Sequence, residues 1–398
     1  MRGISRRTLL GGALGASRLL GVNSRGTRVD MPEVEIKDPL TERQMFRLTD
    51  PDVLFHLPHF HHRFLSRKND FIILGGELDG SRQIFEYDLN RGRLTQLTEG
   101  PGVNSYSAAL DSRERVLYYV QSDALYEAAS RGSRGREVYR AEAGWTLTGH
   151  YGLTTDSDYA VLIEMREGDH RDDPKEQYEK EPLCRLRVVE ISGKTAPRTL
   201  VESRRWLAWP QFKPGGLDIL YAHEGPWGEI EDRLRWISFD GKNAKALRPR
   251  SGEEEVGQEQ WAEDGSRVFF VHFPDKTGRR ATVRAVHPAT GAEETISPCS
   301  AFGWMQVNPD ASAFVGASRR LSGPNIYVLF TKLQREITLC EHSSSRKPYP
   351  LQGGGVDPYA AHPVPVLSHN SQWVYFTTDR EGKPAVYRMK LEDLVSET

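Results

Sequence analysis

Four of the twelve histidines fall within seven residues, in His56-Leu57-Pro58-His59-Phe60-His61-His62. Read as an extended segment, this places His59 and His61 on one side, because successive side chains alternate. Two imidazoles on one face could ligate a metal ion or contact a bound ligand. The plainer alternative is polar lining with one histidine packed inside. A second group is Tyr221-Ala222-His223-Glu224-Gly225-Pro226, where an apolar strand end enters a loop, with Arg233 following. Arginine is a fixed cation whose fork matches a carboxylate. The alternative for this group is a surface salt bridge, worth little. Further along, Trp209-Pro210, Gln258-Glu259-Gln260-Trp261, Gly303-Trp304-Met305-Gln306 and Tyr359-Ala360-Ala361-His362-Pro363-Val364-Pro365 each precede an apolar strand. Aromatic rings at such positions can stack on sugar rings or pack one structural unit against the next.

The elements that would position these groups recur along the chain. The clearest unit, residues 70–100, begins with the apolar run Phe71-Ile72-Ile73-Leu74. A turn at Gly75-Gly76, an alternating strand over residues 83–87, a turn at Asn90-Arg91-Gly92 and a closing strand at 94–97 complete it. Echoes begin near Ser112, Asp156, Pro214, Glu263, Pro309 and Ser368, which makes seven. Repeated β-units that cannot bury their own faces must stack around an axis, so the pattern predicts an all-β, seven-bladed β-propeller. The last unit is short of a strand. Residues 44–49 match the closing strand of the first unit, so an N-terminal strand is expected to complete the last blade and remove an open edge. Residues 164–182 carry many charges without apolar periodicity and read as a solvated loop, or as a lid. Residues 346–363 read as a Gly- and Pro-rich loop over one face.

The chain has 398 residues, with 36 Gly and 23 Pro, and a net charge of -2 from 53 basic and 55 acidic residues. No global field points to nucleic acid or to an anionic membrane. Residues 1–29 read as an export leader and linker, because Ser5-Arg6-Arg7-Thr8-Leu9-Leu10 resembles a twin-arginine (Tat) signal ahead of a small apolar run. This implies a periplasmic or otherwise extracytoplasmic protein whose remaining residues, 30–398, form one propeller. No other stretch approaches a membrane span. Cys184, Cys299 and Cys340 have no metal-ligand spacing, and their odd number argues against a disulfide framework; burial in strands is expected, with a Cys299–Cys340 bridge conceivable.

Taken in order, several short motifs resemble the oligogalacturonate lyase family. They run from Arg47-Leu48-Thr49 and Asp50-Pro51-Asp52-Val53, with His56 and Phe60, through Gly75-Gly76 and Tyr87-Asp88-Leu89 to Gln96-Leu97-Thr98-Glu99-Gly100. Cys184-Arg185-Leu186, His223-Glu224-Gly225-Pro226, Arg233, His362-Pro363 and Gly382-Lys383-Pro384-Ala385 follow. The resemblance covers about residues 40–392. It implies a seven-bladed propeller that cleaves short, pectin-derived galacturonides by β-elimination. It also implies a manganese-type ion held by three histidines and a glutamine, and an arginine that takes the C5 proton. Arg233 falls on that arginine and His362 on one metal histidine. Val364, Tyr359 and Trp304 stand at the other ligand positions, and Gln258 and Trp209 replace further histidines. Valine and tryptophan do not bind manganese. Three readings follow: a lyase whose metal is held differently, with His59 and His61 as candidates; a propeller turned to another sugar or reaction through Arg233, His223 and the rim aromatics; or a non-catalytic binder of acidic oligosaccharides or structural propeller. A periplasmic protein-interaction propeller is the alternative of another class, and its channel mouth would be plugged by Trp209, Trp261 and Trp304.

Overall fold

The structure is a computed structural model, and the description covers residues 24–391 except 79, 130–134, 275–279, 320–322 and 352–354. The twin-arginine-like motif therefore lies outside the described residues. The chain forms seven antiparallel sheets of four or five strands and one two-stranded ribbon. Each blade takes its second strand from one of the seven apolar runs: Phe71–Glu77, Val116–Gln121, Tyr159–Arg166, Ile219–His223, Val268–Phe273, Ala313–Ser318 and Trp373–Thr378. These strands are buried along most of their length because neighbouring blades cover both faces, so they read as continuous hydrophobic runs rather than alternations. Blade packs on blade through rings such as Phe269 and Phe314, whose centroids lie 5.0 Å apart edge to face. Each such fully buried ring contributes about 1.5–3 kcal/mol.

Ring closure uses the N-terminal strand. Gln44–Arg47 pairs with Ala385–Lys390, setting Met45 opposite Met389 and Arg47 opposite Tyr387. Two further strands extend the outer edges: Arg28–Asp30 on the first blade and Val34–Lys37 on the last. Part of the polar, Pro-containing stretch 30–42 is therefore ladder rather than loop.

Three other expectations are corrected. Gly75 and Gly76 are not a turn; they lie inside Phe71–Glu77. A Cβ at Gly75 would meet the His56 ring at 2.3 Å, and one at Gly76 would meet the Phe55 ring at 2.4 Å. Glycine here permits a close approach of the first strand. The charged segment 164–182 is not uniformly solvated. Glu164 is fully buried against Arg185 and Tyr139, and Pro174–Glu179 is a short helix capped by Asp173. Residues 349–357 contain the two-stranded ribbon Tyr349–Pro350 with Val356–Asp357. The three cysteines are free and buried.

Candidate functional site

The histidine-rich segment, residues 57–63, crosses the central channel. Leu57 N–H donates to Thr377 Oγ1 of the last blade at 3.2 Å, and His59 N–H to the Tyr106 carbonyl of the second at 3.0 Å. His62 Nε2 reaches the Tyr151 carbonyl of the third blade at 2.9 Å, and His61 Nε2 the Glu259 carbonyl of the fifth at 3.0 Å. A carbonyl only accepts, so both imidazoles donate from Nε2. This crosspiece divides the channel into two cavities that share Phe60 and His61. The larger, of about 420 Å³, is lined by His59, His61, Arg233, Gln258, Trp304, Tyr359 and His362 among others. All seven residues singled out from sequence besides the arginine were expected at a pocket, and the cavity brings six of them together. The exception is His223. It and Glu224 are successive residues, so the chain turns only Glu224 into the cavity. His223 pairs instead with Asp232 at 2.9 Å and lines a separate, smaller cavity. Trp209 and Trp304 line an open cavity rather than plugging it, and Trp261 lies at the other end of the channel.

Bulges aim the cavity side chains. The innermost strands of the second to sixth blades all shift register: between Asn104 and Ala109, Leu147 and Tyr151, Ala208 and Gln211, Gly257 and Gln260, and Phe302 and Trp304. Tyr106, His150, Trp209, Gln258 and Trp304 stand at these places and line the cavity. Trp209 and Gln258 hold φ of 54° and 62°, a conformation costing of order 1–3 kcal/mol each in a non-glycine residue. The fold tolerates that strain to turn these side chains inward.

Arg233, 3% exposed, is wired to two carboxylates. Nη1 and Nη2 donate to Glu224 at 2.7 and 3.0 Å, and Nε and Nη2 to Glu259 at 3.1 and 3.1 Å. A guanidinium has five N–H donors, so these four bonds leave one, on Nη1. Burial disfavours the charge, but the two glutamates outweigh it and hold the proton on more tightly than usual. Burial also opposes ionisation of Glu224; Arg233 reverses this and keeps its carboxyl below the usual range. Trp209 Nε1 donates to Glu224 Oε2 at 2.5 Å, and His150 stacks on Trp209 with centroids 4.1 Å apart.

The imidazoles are neutral near pH 7. Burial lowers His61 to about 3, and His56, His150 and His362 to about 4. Burial also lowers His59, with further lowering from the neighbouring histidines. For His150, the Glu224 charge acts in the opposite direction and favours the protonated ring. The Nδ1 atoms of His61, His62, His150 and His362 are buried without a hydrogen-bond partner. Tyr106 stacks on His56 at 3.9 Å and donates to Asp357 at 2.8 Å, which also receives Arg82 at 2.8 Å. On the far wall, His362 is edge-on to Trp304 at 4.7 Å and to Tyr359 at 5.5 Å, with Val364 beside them in the lining.

A sequence model of the family described as "Oligogalacturonate lyase" matches residues 23–395. The chain belongs to the oligogalacturonate lyase family. It is 28% identical to the oligogalacturonide lyase of Pectobacterium atrosepticum, over 94% of this chain and 99% of that one. It is 27% identical to the oligogalacturonate lyase of Dickeya dadantii over the same shares. A solved oligogalacturonate lyase in complex with manganese superposes with a TM-score of 0.87 at 27% identity, covering 94% of this chain and 100% of that one.

The residues present here do not fit a manganese ion at the family's position. The four places that the resemblance assigns to metal ligands lie together, but three hold Trp304, Tyr359 and Val364 around His362. Among the described residues, no three His, Cys, Asp or Glu side chains are arranged to hold a metal ion, and that includes His59 and His61. His150 and Tyr106 escaped the sequence reading, and Glu259 entered it only as part of a blade-entry motif. His150 follows Gly149 at the same place in its repeat as Trp209 and Gln258 in theirs, so applying the blade-entry reading to the third repeat would have found it.

Proposed function

We propose that the protein cleaves short uronate oligosaccharides by β-elimination in the larger cavity, with His150 as proton acceptor. The observation that carries this reading is the juxtaposition, in one sugar-sized cavity, of a neutral imidazole, a fixed cation and several aromatic side chains. Cavities of this size suit small ligands, and Trp209, Trp304, Trp227 and Tyr359 offer stacking surfaces. In the step itself, His150 takes the C5 proton, the C–H electron pair forms the C4=C5 double bond, and the C4–O4 bond breaks. The departing oxygen keeps the bond pair and is protonated from water.

Arg233 is reassigned relative to the role implied by resemblance. Two carboxylates hold its proton, so it supplies a fixed positive edge and one N–H donor to the carboxyl where charge develops. His150 is better suited as base because it is unprotonated at neutral pH, and the imidazolium it becomes faces Glu224 through Trp209. Gln258, Trp304 and Tyr359 serve as substrate contacts, and His59 and His61 as neutral lining. With the leader read from residues 5–16, the protein works outside the cytoplasm, which cell fractionation tests.

The test of the reaction is mass spectrometry of uronate trisaccharides, free and esterified, incubated with the protein. Fragments whose masses sum to the parent, one carrying a conjugated double bond, support elimination. Fragments heavier by a water mean hydrolysis instead. Substrate that binds but stays intact assigns the cavity to capture of acidic sugars.

A further inference from the structure

We infer that Arg346 receives the carboxylate of a uronate adjoining the one that reacts, and so makes a free-acid oligosaccharide, rather than a neutral one, the preferred substrate; the inference rests on the lyase reading above. Three observations carry it. First, Arg346 stands beside the cavity. Its guanidinium carbon lies 5.1 Å from the centroid of the Trp304 ring, and Trp304 and its edge-on neighbour His362 both line the cavity. After burial, the Arg346 charge is the next influence that keeps His362 unprotonated. The loop is pinned at this place: Ser345 N–H donates to Asp379 Oδ1 at 2.7 Å, and the Ser345 hydroxyl donates to Oδ2.

Second, the charge is unpaired. Burial holds the Arg346 pKa below the ordinary arginine value, and among the described residues no carboxylate acts in the opposite direction. By contrast Arg233, Arg82 and Arg319 each face at least one carboxylate. Third, the donors of Arg346 are under-used. Of its five N–H groups, one on Nη1 reaches the Arg319 carbonyl at 3.0 Å and one on Nη2 the Ser318 carbonyl. Nη2 also approaches His342 Nε2 at 3.1 Å. That ring is neutral near pH 7, because burial lowers it to about 3. Its Nδ1 accepts the Ser344 N–H at 2.9 Å, so Nε2 carries the hydrogen and accepts nothing. The Arg346 Nε is buried without a partner. A charged donor left unmatched is costly. A carboxylate answers both the charge and the free donors of a guanidinium.

Arg346 flanks Trp304 and His362 but is not itself part of the cavity lining. The sugar that fills the cavity and loses its C5 proton lies beside His150 and Arg233. A carboxylate that reaches Arg346 therefore belongs to an adjoining residue of the same oligosaccharide. The contact adds no step to the elimination, because it is made equally in the bound substrate and in the transition state. Such uniform binding lowers KM without raising kcat.

The experiment measures kcat and KM on trigalacturonate, with chelator, for the wild type, Arg346→Met and Arg346→Lys, with melting temperatures alongside. The fully methyl-esterified trisaccharide is the uncharged control, used as substrate or as competitive inhibitor. For Arg346→Met the expected result is a KM for the acid raised at least about tenfold, the loss of one charge-assisted contact. Most of the loss should fall on KM rather than kcat, and affinity for the ester should stay within about twofold. Arg346→Lys keeps the charge without the fork and should fall between the two. An unmoved KM in Arg346→Met overturns this inference and leaves the lyase reading standing. Equal weakening of acid and ester also overturns it, because Arg346 then only supports Trp304. A loss confined to kcat overturns the assignment to an adjoining sugar. No elimination of trigalacturonate by the wild type overturns both readings.

Discussion

Two walls of one cavity handle charge in opposite ways. The wall from the fourth and fifth blades concentrates it: Arg233 lies between Glu224 and Glu259, and Trp209 braces the first carboxylate. The wall from the sixth and seventh blades leaves it unpaired: the Arg346 guanidinium lies 5.1 Å over the Trp304 ring with no carboxylate of the described residues against it, beside His362, whose Nδ1 is unpartnered. Both walls hang on the same ring of blades, with bulged inner strands in the fourth, fifth and sixth and a loop ahead of the seventh. The scaffold therefore does not dictate the chemistry. The side chains on each wall decide what is held there.

The sharpest way to break the charged wall is Arg233→Met. It leaves two buried carboxylates without their counter-ion, and such losses cost about 3–5 kcal/mol. Thermal unfolding should show a large drop in midpoint, and turnover should be lost. Full stability in this variant would mean that the glutamates find other partners. His150→Ala removes the proposed base without stripping a buried ion pair. Turnover should fall by about 10²–10⁴ with the melting temperature little changed, and normal turnover would move the role to another imidazole.

Acid should act on both walls together. The histidines that burial lowers bind protons in the unfolded chain near pH 6.5 but resist them in the fold down to about 4 for His56, His150 and His362. Below pH 6.5 the unfolded state therefore takes up more protons, so stability is full above 6.5 and declines as the pH falls toward 4. Denaturant midpoints measured across that window check the sign; a midpoint that rises on acidification would contradict it. The smallest effect belongs to His223→Ala, which removes a side chain outside the cavity. Its kcat/KM should stay within about twofold of wild type, a change of about 0.4 kcal/mol, because the buried His223 ring is held by Asp232 outside the cavity.

The fold was legible because burial on both faces writes itself into sequence. Seven apolar second strands and a spare closing strand at residues 44–47 carry the ring and its closure. The site was legible only in part. His59, His61, Trp304, Tyr359 and His362 announce themselves by clustering or by flanking a strand. His150 does not, because a register shift in the Trp145–Leu153 strand aims it inward, and bulges leave little trace in residue order. His223 and Glu224 differ only by strand parity, which a reading of one residue more or less reverses. Gly75 and Gly76 were read as punctuation because close packing by Phe55 and His56 is a tertiary event. Glu164 was read as solvated for the same reason, its partner Arg185 lying 21 residues away.

The described residues of this chain bring no three histidine, cysteine or carboxylate side chains together to hold a metal ion. Titration of manganese into the purified protein, followed by electron paramagnetic resonance of the free ion, tests it most directly. The account predicts that the free-ion signal rises in proportion to added metal from the first addition. Uptake of one equivalent before free manganese appears would contradict it.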